Sequence, residues 1–276
     1  MYGYGNSMIL ATHGILARSG GGGGVDPDAQ AFITAAAITN PTQQAAINTL
    51  VVSLKGYNVW SKMKALYPFV GGTATTHKFN LKNPLDTDAA FRIFWNGGVT
   101  HSSNGVQFGG VNGWGNTYLN PPTKLSGTSN HVSFYSRTNN AASSAIEMGV
   151  IDTNYYFHLH CYHPGNLMYS LLNTNTVTGY NNANSLGHFI GTRTGVTASQ
   201  GFKNGSSLGT NTNAVAIGTT VNFLILGASN TLAGTPTNYT NRECAFASIG
   251  DGLTPTEAAN FYTAVQTFQT TLNRNV

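Results

Sequence analysis

Apolar and polar positions change their period twice along this chain. From Asp26 to about Gly56 the period is helical. Asp26-Pro27 sets a capping acid before a proline at the first helical position, and Ala29, Phe32, Ile33, Ala36 and Ala37 make one apolar stripe. Asn40-Pro41 repeats the start signal, Ala45, Ile47, Leu50, Val51 and Leu54 share one side, and Gly56 stops the helix. The spacing therefore predicts a helical hairpin over residues 25–60, turned at Thr39 and Asn40. Ahead of it, Met8, Ile9, Leu10, Ile15 and Leu16 form an apolar strip tied to the body by Gly20 to Gly24. A strip on such a leash is either a loose tail or an arm that docks on another subunit while the body reorients. The docking arm, residues 1–24, is the expectation.

Beyond residue 60 the period becomes that of strands. Short runs rich in Phe, Tyr, Val, Ile and Thr recur between Gly, Asn and Ser clusters: MKALYPFV (63–70), AFRIFW (90–95), HVSFYSRT (131–138), AIEMGVI (145–151), NYYFHLHCY (154–162), LGHFIGTRT (186–194), SQGFKNGSSLGT (199–210) and VNFLILGAS (221–229). Such spacing predicts a mainly β protein, an antiparallel β-sandwich or jelly roll over residues 61–276. Asn204-Gly205 is a hairpin signal, because both residues accept the positive φ of a type I′ turn. A closing helix starts where Thr254 caps, Pro255 enters the first turn and Glu257 completes a capping box; Ala258, Phe261, Tyr262, Val265 and Phe268 are its apolar stripe.

Composition sharpens this picture. Only 8% of the 276 residues are charged, against about 25% in ordinary soluble domains, whereas Asn (31), Thr (35), Ser (19) and Gly (33) are abundant. With 14 Phe, 13 Tyr and 3 Trp the chain still has apolar area enough to fold, so it reads as a β-rich body with a neutral polar surface. The net charge of +4 comes from basic residues scattered singly, which excludes the patch or stripe a nucleic acid needs. No run nears the ~20 apolar residues of a membrane span. The first apolar run has no basic residue ahead of it, Arg18 falling after it, so the chain is expected to be used as made rather than exported by a signal. Cys161 and Cys244 lie 83 residues apart without CxxC spacing and signal neither zinc nor a disulfide framework.

Certain strings suggest relatives. GFKNGSSLGT (201–210), NFLILGAS (222–229) and CAFASIGDGLTPTEAANFYTAVQTF (244–268) resemble, in that order, the C-terminal half of laminin-G-like and concanavalin-like jelly-roll domains. YPFVGGTATTHKFNLKNP (67–84) and ASIGDGLTPTEAANFYTAVQTFQTTLNR (247–274) are also similar to a domain of virion proteins of tailed phages, notably Bacteroidetes and crAss-like phages. The resemblance implies a structural or fibre role on a virion, sometimes with glycan binding, and no catalytic residues. The calcium-binding laminin-G pattern needs carboxylates on two neighbouring loops. Asp86, Asp88, Asp152 and Asp251 have no spacing that brings two together, so the fold is carried over and calcium is not.

Few constellations could carry chemistry. In His158-Leu159-His160-Cys161-Tyr162-His163 a strand would point His158 and His160 to one face, with His163 arriving from the turn at Pro164-Gly165. They are either three metal ligands, with Asp152 the nearest acid in sequence to orient them, or histidines on a partly exposed strand. Glycoside hydrolysis needs two facing carboxylates, and the chain has only Glu147, Glu243 and Glu257. Nucleophile-elbow and phosphate-loop motifs are absent. Trp114, in Asn112-Gly113-Trp114-Gly115-Asn116, is either packed at the end of the sandwich or a sugar-stacking platform flanked by the amides of Asn112 and Asn116. Trp95 reads as core and Trp60 as packing of the helical hairpin.

The resulting expectation is a non-enzymatic virion protein without a cofactor, assembled with copies of itself, a trimer by guess, and with other virion proteins. A surface of Asn, Thr and Ser suits such contacts, since it packs through hydrogen bonds without burying ions. The alternative is an adhesin recognising host-surface polysaccharide. A glycan-degrading enzyme ranks below both.

Overall fold

The computed structural model describes residues 24–142, 145–153, 155–216 and 222–276. The arm residues Met8, Ile9, Leu10, Ile15 and Leu16 lie outside the described residues.

Two sheets, nearly all antiparallel, stack face to face. The first runs Ser206–Asn211, Ala198–Lys203, Gly187–Gly195, Asn130–Ser136, Glu243–Gly250, Gly105–Phe108 and Val99–Ser102, and Met63–Tyr67 pairs with the far half of Glu243–Gly250. The second runs Gly179–Asn181, Leu167–Thr174, Tyr155–His163, Met148–Asp152, Ile225–Leu226, Trp114–Asn116 and Phe94–Asn96. Ser229–Thr231 lies parallel to Met148–Asp152 and carries Pro236–Thr237 beside it. Alternation along each strand sends Val132, Phe134, Phe189, Ala247 and Ile249 from the first sheet and Met148, Val150, Phe157, Leu159 and Leu172 from the second into one shared core. Cys161 and Cys244 are both free and buried within it.

The other face of the first sheet meets three helices, Pro27–Ala35, Pro41–Gly56 and Pro255–Thr271. Leu66, Tyr135, Ile190, Phe202 and Phe246 on the sheet pack with Phe32, Leu50, Leu54, Phe261 and Phe268 on the helices. The helix starts are as expected: the Asp26 side chain accepts from Asp28 N, Asn40 from Gln43 N, and Thr254 and Glu257 close a reciprocal capping box. Two stripe positions differ. Ala45 is exposed and its neighbour Ala46 is buried in its place, while Ala37 lies past the helix end with φ 51° and faces solvent. The hairpin at Asn204 (φ 50°) and Gly205 (φ 74°) joins Ala198–Lys203 to Ser206–Asn211 as read.

Several strand runs need correction. AFRIFW becomes a short turn of helix, Asp88–Ala90, and then Phe94–Asn96. VNFLILGAS is split: Ile225–Leu226 pairs, Gly227 (φ 89°) breaks the ladder, and pairing resumes at Ser229; a Cβ at Gly227 would sit 2.3 Å from the Phe108 ring. Leu167–Thr174, an apolar run with no clear alternation, is a strand that the pattern did not single out.

Three arginines among the described residues are buried. Arg274 donates to the carbonyls of Phe69 (2.7 Å), Pro68 (2.6 Å) and Ala245 (3.0 Å), fastening the chain beyond the closing helix to the sheet. Burial lowers its pKa to about 9. Arg193, on the first sheet, reaches Leu172 O of the second at 2.7 Å. Arg242 is considered with the site below.

Candidate functional site

Helices cover the first sheet, and among the described residues none covers the outer face of the second. Residues opposite one another in a ladder project the same way. The pairs Ile151 with Tyr156, Gly149 with His158, His158 with Leu171 and His160 with Tyr169 therefore share that outer face. The two-residue period of the His158 motif is thus realised, and His163 joins it from the strand end. These side chains line a depression of about 330 Å³, closed by Ile146, Val177 and Asn238.

Its geometry is built from rings. The His160 and His163 centroids are 5.5 Å apart, His163 and Tyr169 5.4 Å, and Tyr156 and His158 5.7 Å, each pair set edge to face. Gly149 leaves room for this packing, since a Cβ there would stand 2.8 Å from both His158 and Ile146.

The floor of the depression is polar and unsatisfied. His158 is 8% exposed and His160 5% exposed, yet Nδ1 of His158 and Nε2 of His160 have no hydrogen-bond partner among the described residues. Each such buried polar atom costs about 1–3 kcal/mol. Burial, reinforced by the neighbouring His160, lowers the His158 pKa to about 3. Burial lowers His160 as well, against the pull of the Glu147 carboxylate. A neutral imidazole offers one donor and one acceptor, so each unpartnered nitrogen is an uncharged hydrogen-bonding site whose role is set by the tautomer.

Glu147 itself is fully buried and committed elsewhere. It pairs with Arg242, accepts from Cys161 N at 2.6 Å, and takes the Thr240 hydroxyl at 2.9 Å. Arg242 also donates to the carbonyls of Asn140 and Tyr162, both at 2.8 Å. Desolvation is the largest single influence on each, but the attraction of Arg242, with His160 and the Cys161 N–H, together lower the Glu147 pKa, and Glu147 with Cys161 raise that of Arg242. Glu147, not the expected Asp152, is thus the carboxylate whose charge acts on His160. Sequence reasoning saw Glu147 only as an isolated acid. Its partner lies 95 residues away, a separation for which no local pattern exists.

The other sequence candidates lie elsewhere. Trp114 sits in the strand Trp114–Asn116 rather than in a loop, half-buried and opposite Asn96. Asn116 pairs with Phe94, so Trp114, Asn116 and the exposed Phe94 share one face at the far end of the same sheet. The Asn112 carboxamide accepts from Gly98 N at 3.2 Å and that of Asn116 from Tyr118 N at 2.9 Å, which spends acceptors on the chain's own turns. Trp95 packs against the core and lies 4.8 Å from His101, whose Nδ1 is 3.0 Å from Nδ1 of the buried His77. Lys82 stands 4.2 Å over the Trp60 ring. Asp86 and Asp88 are held by Lys78 and Arg92, and Asp251 by Lys64. Among the described residues no group of three His, Cys, Asp or Glu side chains is arranged to hold a metal ion, and this includes His158, His160 and His163.

No protein-family model matches the chain, and no curated protein is similar to it in sequence. Solved structures share its fold. A mutant Trypanosoma rangeli sialidase displaying trans-sialidase activity aligns at TM-score 0.51 and 12% identity, over 80% of this chain and 39% of that one. Trypanosoma rangeli sialidase bound to a difluorinated nononic acid aligns at 0.50 and 11%, over 79% and 39%. A botulinum neurotoxin type C chain, whose way into cells depends on interaction with two ganglioside molecules, aligns at 0.52 and 12%, over 76% and 52%. This chain spans between 39% and 52% of those neighbours' lengths. At such identities the likeness concerns the fold alone: mainly β, with two antiparallel sheets and a closing C-terminal helix.

Proposed function

We propose that this chain is a non-enzymatic glycan-binding protein of the concanavalin-like or laminin-G-like jelly-roll kind, with its ligand on the outer face of the second sheet. One observation carries the reading: two buried histidines, each with a ring nitrogen that has no partner among the described residues, line a depression rimmed by Tyr156, Tyr169 and His163. Hydroxyls are well suited to satisfy them, because each both donates and accepts, and a sugar's C–H face can lie on the adjoining rings. The neighbours give the reading a context, one being a sialidase with a bound sugar acid and another a toxin that interacts with gangliosides.

A binding role also fits the carboxylates. All three glutamates are ion-paired, Glu147 with Arg242, Glu243 with Arg137 and Glu257 with Lys62, so none stands free as an acid or nucleophile. On a virion, the setting implied by the phage-like strings, this face would be held out toward host-surface polysaccharide. Removing residues 1–24 tests the anchoring half of that picture, since a folded body should remain that no longer joins the particle.

The binding reading is tested by affinity electrophoresis through gels containing single polysaccharides, with Tyr169→Ala and His160→Ala beside the parent chain. At least one polymer should retard the parent. Each substitution should weaken that interaction tenfold or more, about 1.4 kcal/mol, with the melting temperature of Tyr169→Ala unchanged. Retardation indifferent to both substitutions would place any binding elsewhere.

A further inference from the structure

The chemistry of the depression narrows its ligand. None of the ten side chains lining it is a lysine, arginine, aspartate or glutamate. The nearest cation by connectivity, Arg242, is fully buried and already pairs with Glu147 while its second nitrogen serves two backbone carbonyls. Its charge is spent, and the Glu147–Arg242 unit presents no net charge to the floor above it. His158 and His160 are more than nine-tenths buried, and each keeps a ring nitrogen without a partner. An acidic sugar entering here would give up hydration of its carboxylate and meet no lysine or arginine among the lining residues, a cost that uncharged hydroxyls do not incur.

We infer that the depression takes an uncharged stretch of glycan and rejects sugars whose carboxylate would face the sheet. The inference rests on the glycan-binding reading and deepens it. It also runs opposite to the acidic sugar and the gangliosides associated with the structural neighbours. The signature is local: the buried imidazoles of His158 and His160 beside Ile146, Ile151 and Leu171, with Asn238 the only amide among the described residues that line the depression.

The test compares two sets of immobilised polymers in about 150 mM salt, where screening over about 8 Å suppresses attraction to the chain's net charge of +4. The uncharged set is dextran, mannan, galactan and xylan; the acidic set is polysialic acid, polygalacturonate and hyaluronate. The parent chain should bind at least one uncharged polymer ten times more tightly than any acidic one. Val177→Arg adds a cation at a lining residue that is 58% exposed, where the fold is not at stake. It should raise binding of an acidic polymer at least fivefold relative to the uncharged one. An acidic polymer bound best by the parent, and lost in Tyr169→Ala, would overturn the inference and keep the site. Failure of every polymer in both sets would overturn the glycan reading and the inference with it.

Discussion

At the scale of single residues, partners matter more than identities. That His158 and His160 share a face was legible, because strand alternation is a local rule. That they are unpartnered was not, since Leu171, Tyr169 and Gly149 stand opposite them across ladders between segments no pattern joins in advance. Glu147 and Arg242 show the same limit. Breaking such a pair leaves one charge buried alone and costs about 3–5 kcal/mol, whereas replacing both members with apolar groups of like volume is often neutral. Arg242→Met should therefore lower the urea-unfolding free energy by about that amount, and Glu147→Leu/Arg242→Met should recover most of the loss. A single substitution that proved harmless would mean that Glu147 is not held as a buried carboxylate.

At the scale of elements, legibility followed how local the stabilising interactions are. The helices were readable to within a residue or two because their caps are written into Asp26-Pro27, Asn40-Pro41 and Thr254-Pro255. The Asn204-Gly205 hairpin was readable because positive φ limits which residues fit the turn. Strands held mainly by tertiary pairing were not. Residues 222–229 are apolar enough for a full strand, yet the strand is broken: Thr117 takes Leu224 O, Ile225–Leu226 pairs, and the left-handed Gly227 turns the chain away before Ser229 pairs again. Trp114 was misplaced for the converse reason. Its flanking glycines suggest a loop, but Gly115 lies opposite Trp95, where a Cβ would stand 2.8 Å from the indole, so the glycine admits the ring to the core instead of opening a turn.

At the scale of the whole molecule, the scarcity of charge makes histidine the main titrating group of the interior. Burial holds His77, His158 and His188 at about 3 and His131 at about 4, all below their ordinary value of 6.5. The sign follows directly. The unfolded chain takes up protons near pH 6.5 and the folded chain does not, so stability is full above that pH and falls as pH drops toward the folded values. Each histidine contributes up to about 1.4 kcal/mol per pH unit, and four together approach about 5 kcal/mol per unit against a typical total of about 5–15 kcal/mol. Unfolding is therefore expected between about pH 5 and pH 4, with close to four protons taken up per molecule. Urea midpoints that stay level from pH 7 to pH 4.5 would contradict the neutral, buried state of these rings.

The same neutral rings carry the central claim, that the imidazoles of the second sheet meet a sugar. Long-range proton–nitrogen spectra of the histidine rings, recorded as the bound polysaccharide is titrated in, report on each nitrogen separately. Nδ1 of His158 and Nε2 of His160 should shift saturably while the core rings of His131 and His188 stay fixed. Saturable binding that leaves both of the first two nitrogens unmoved would contradict it.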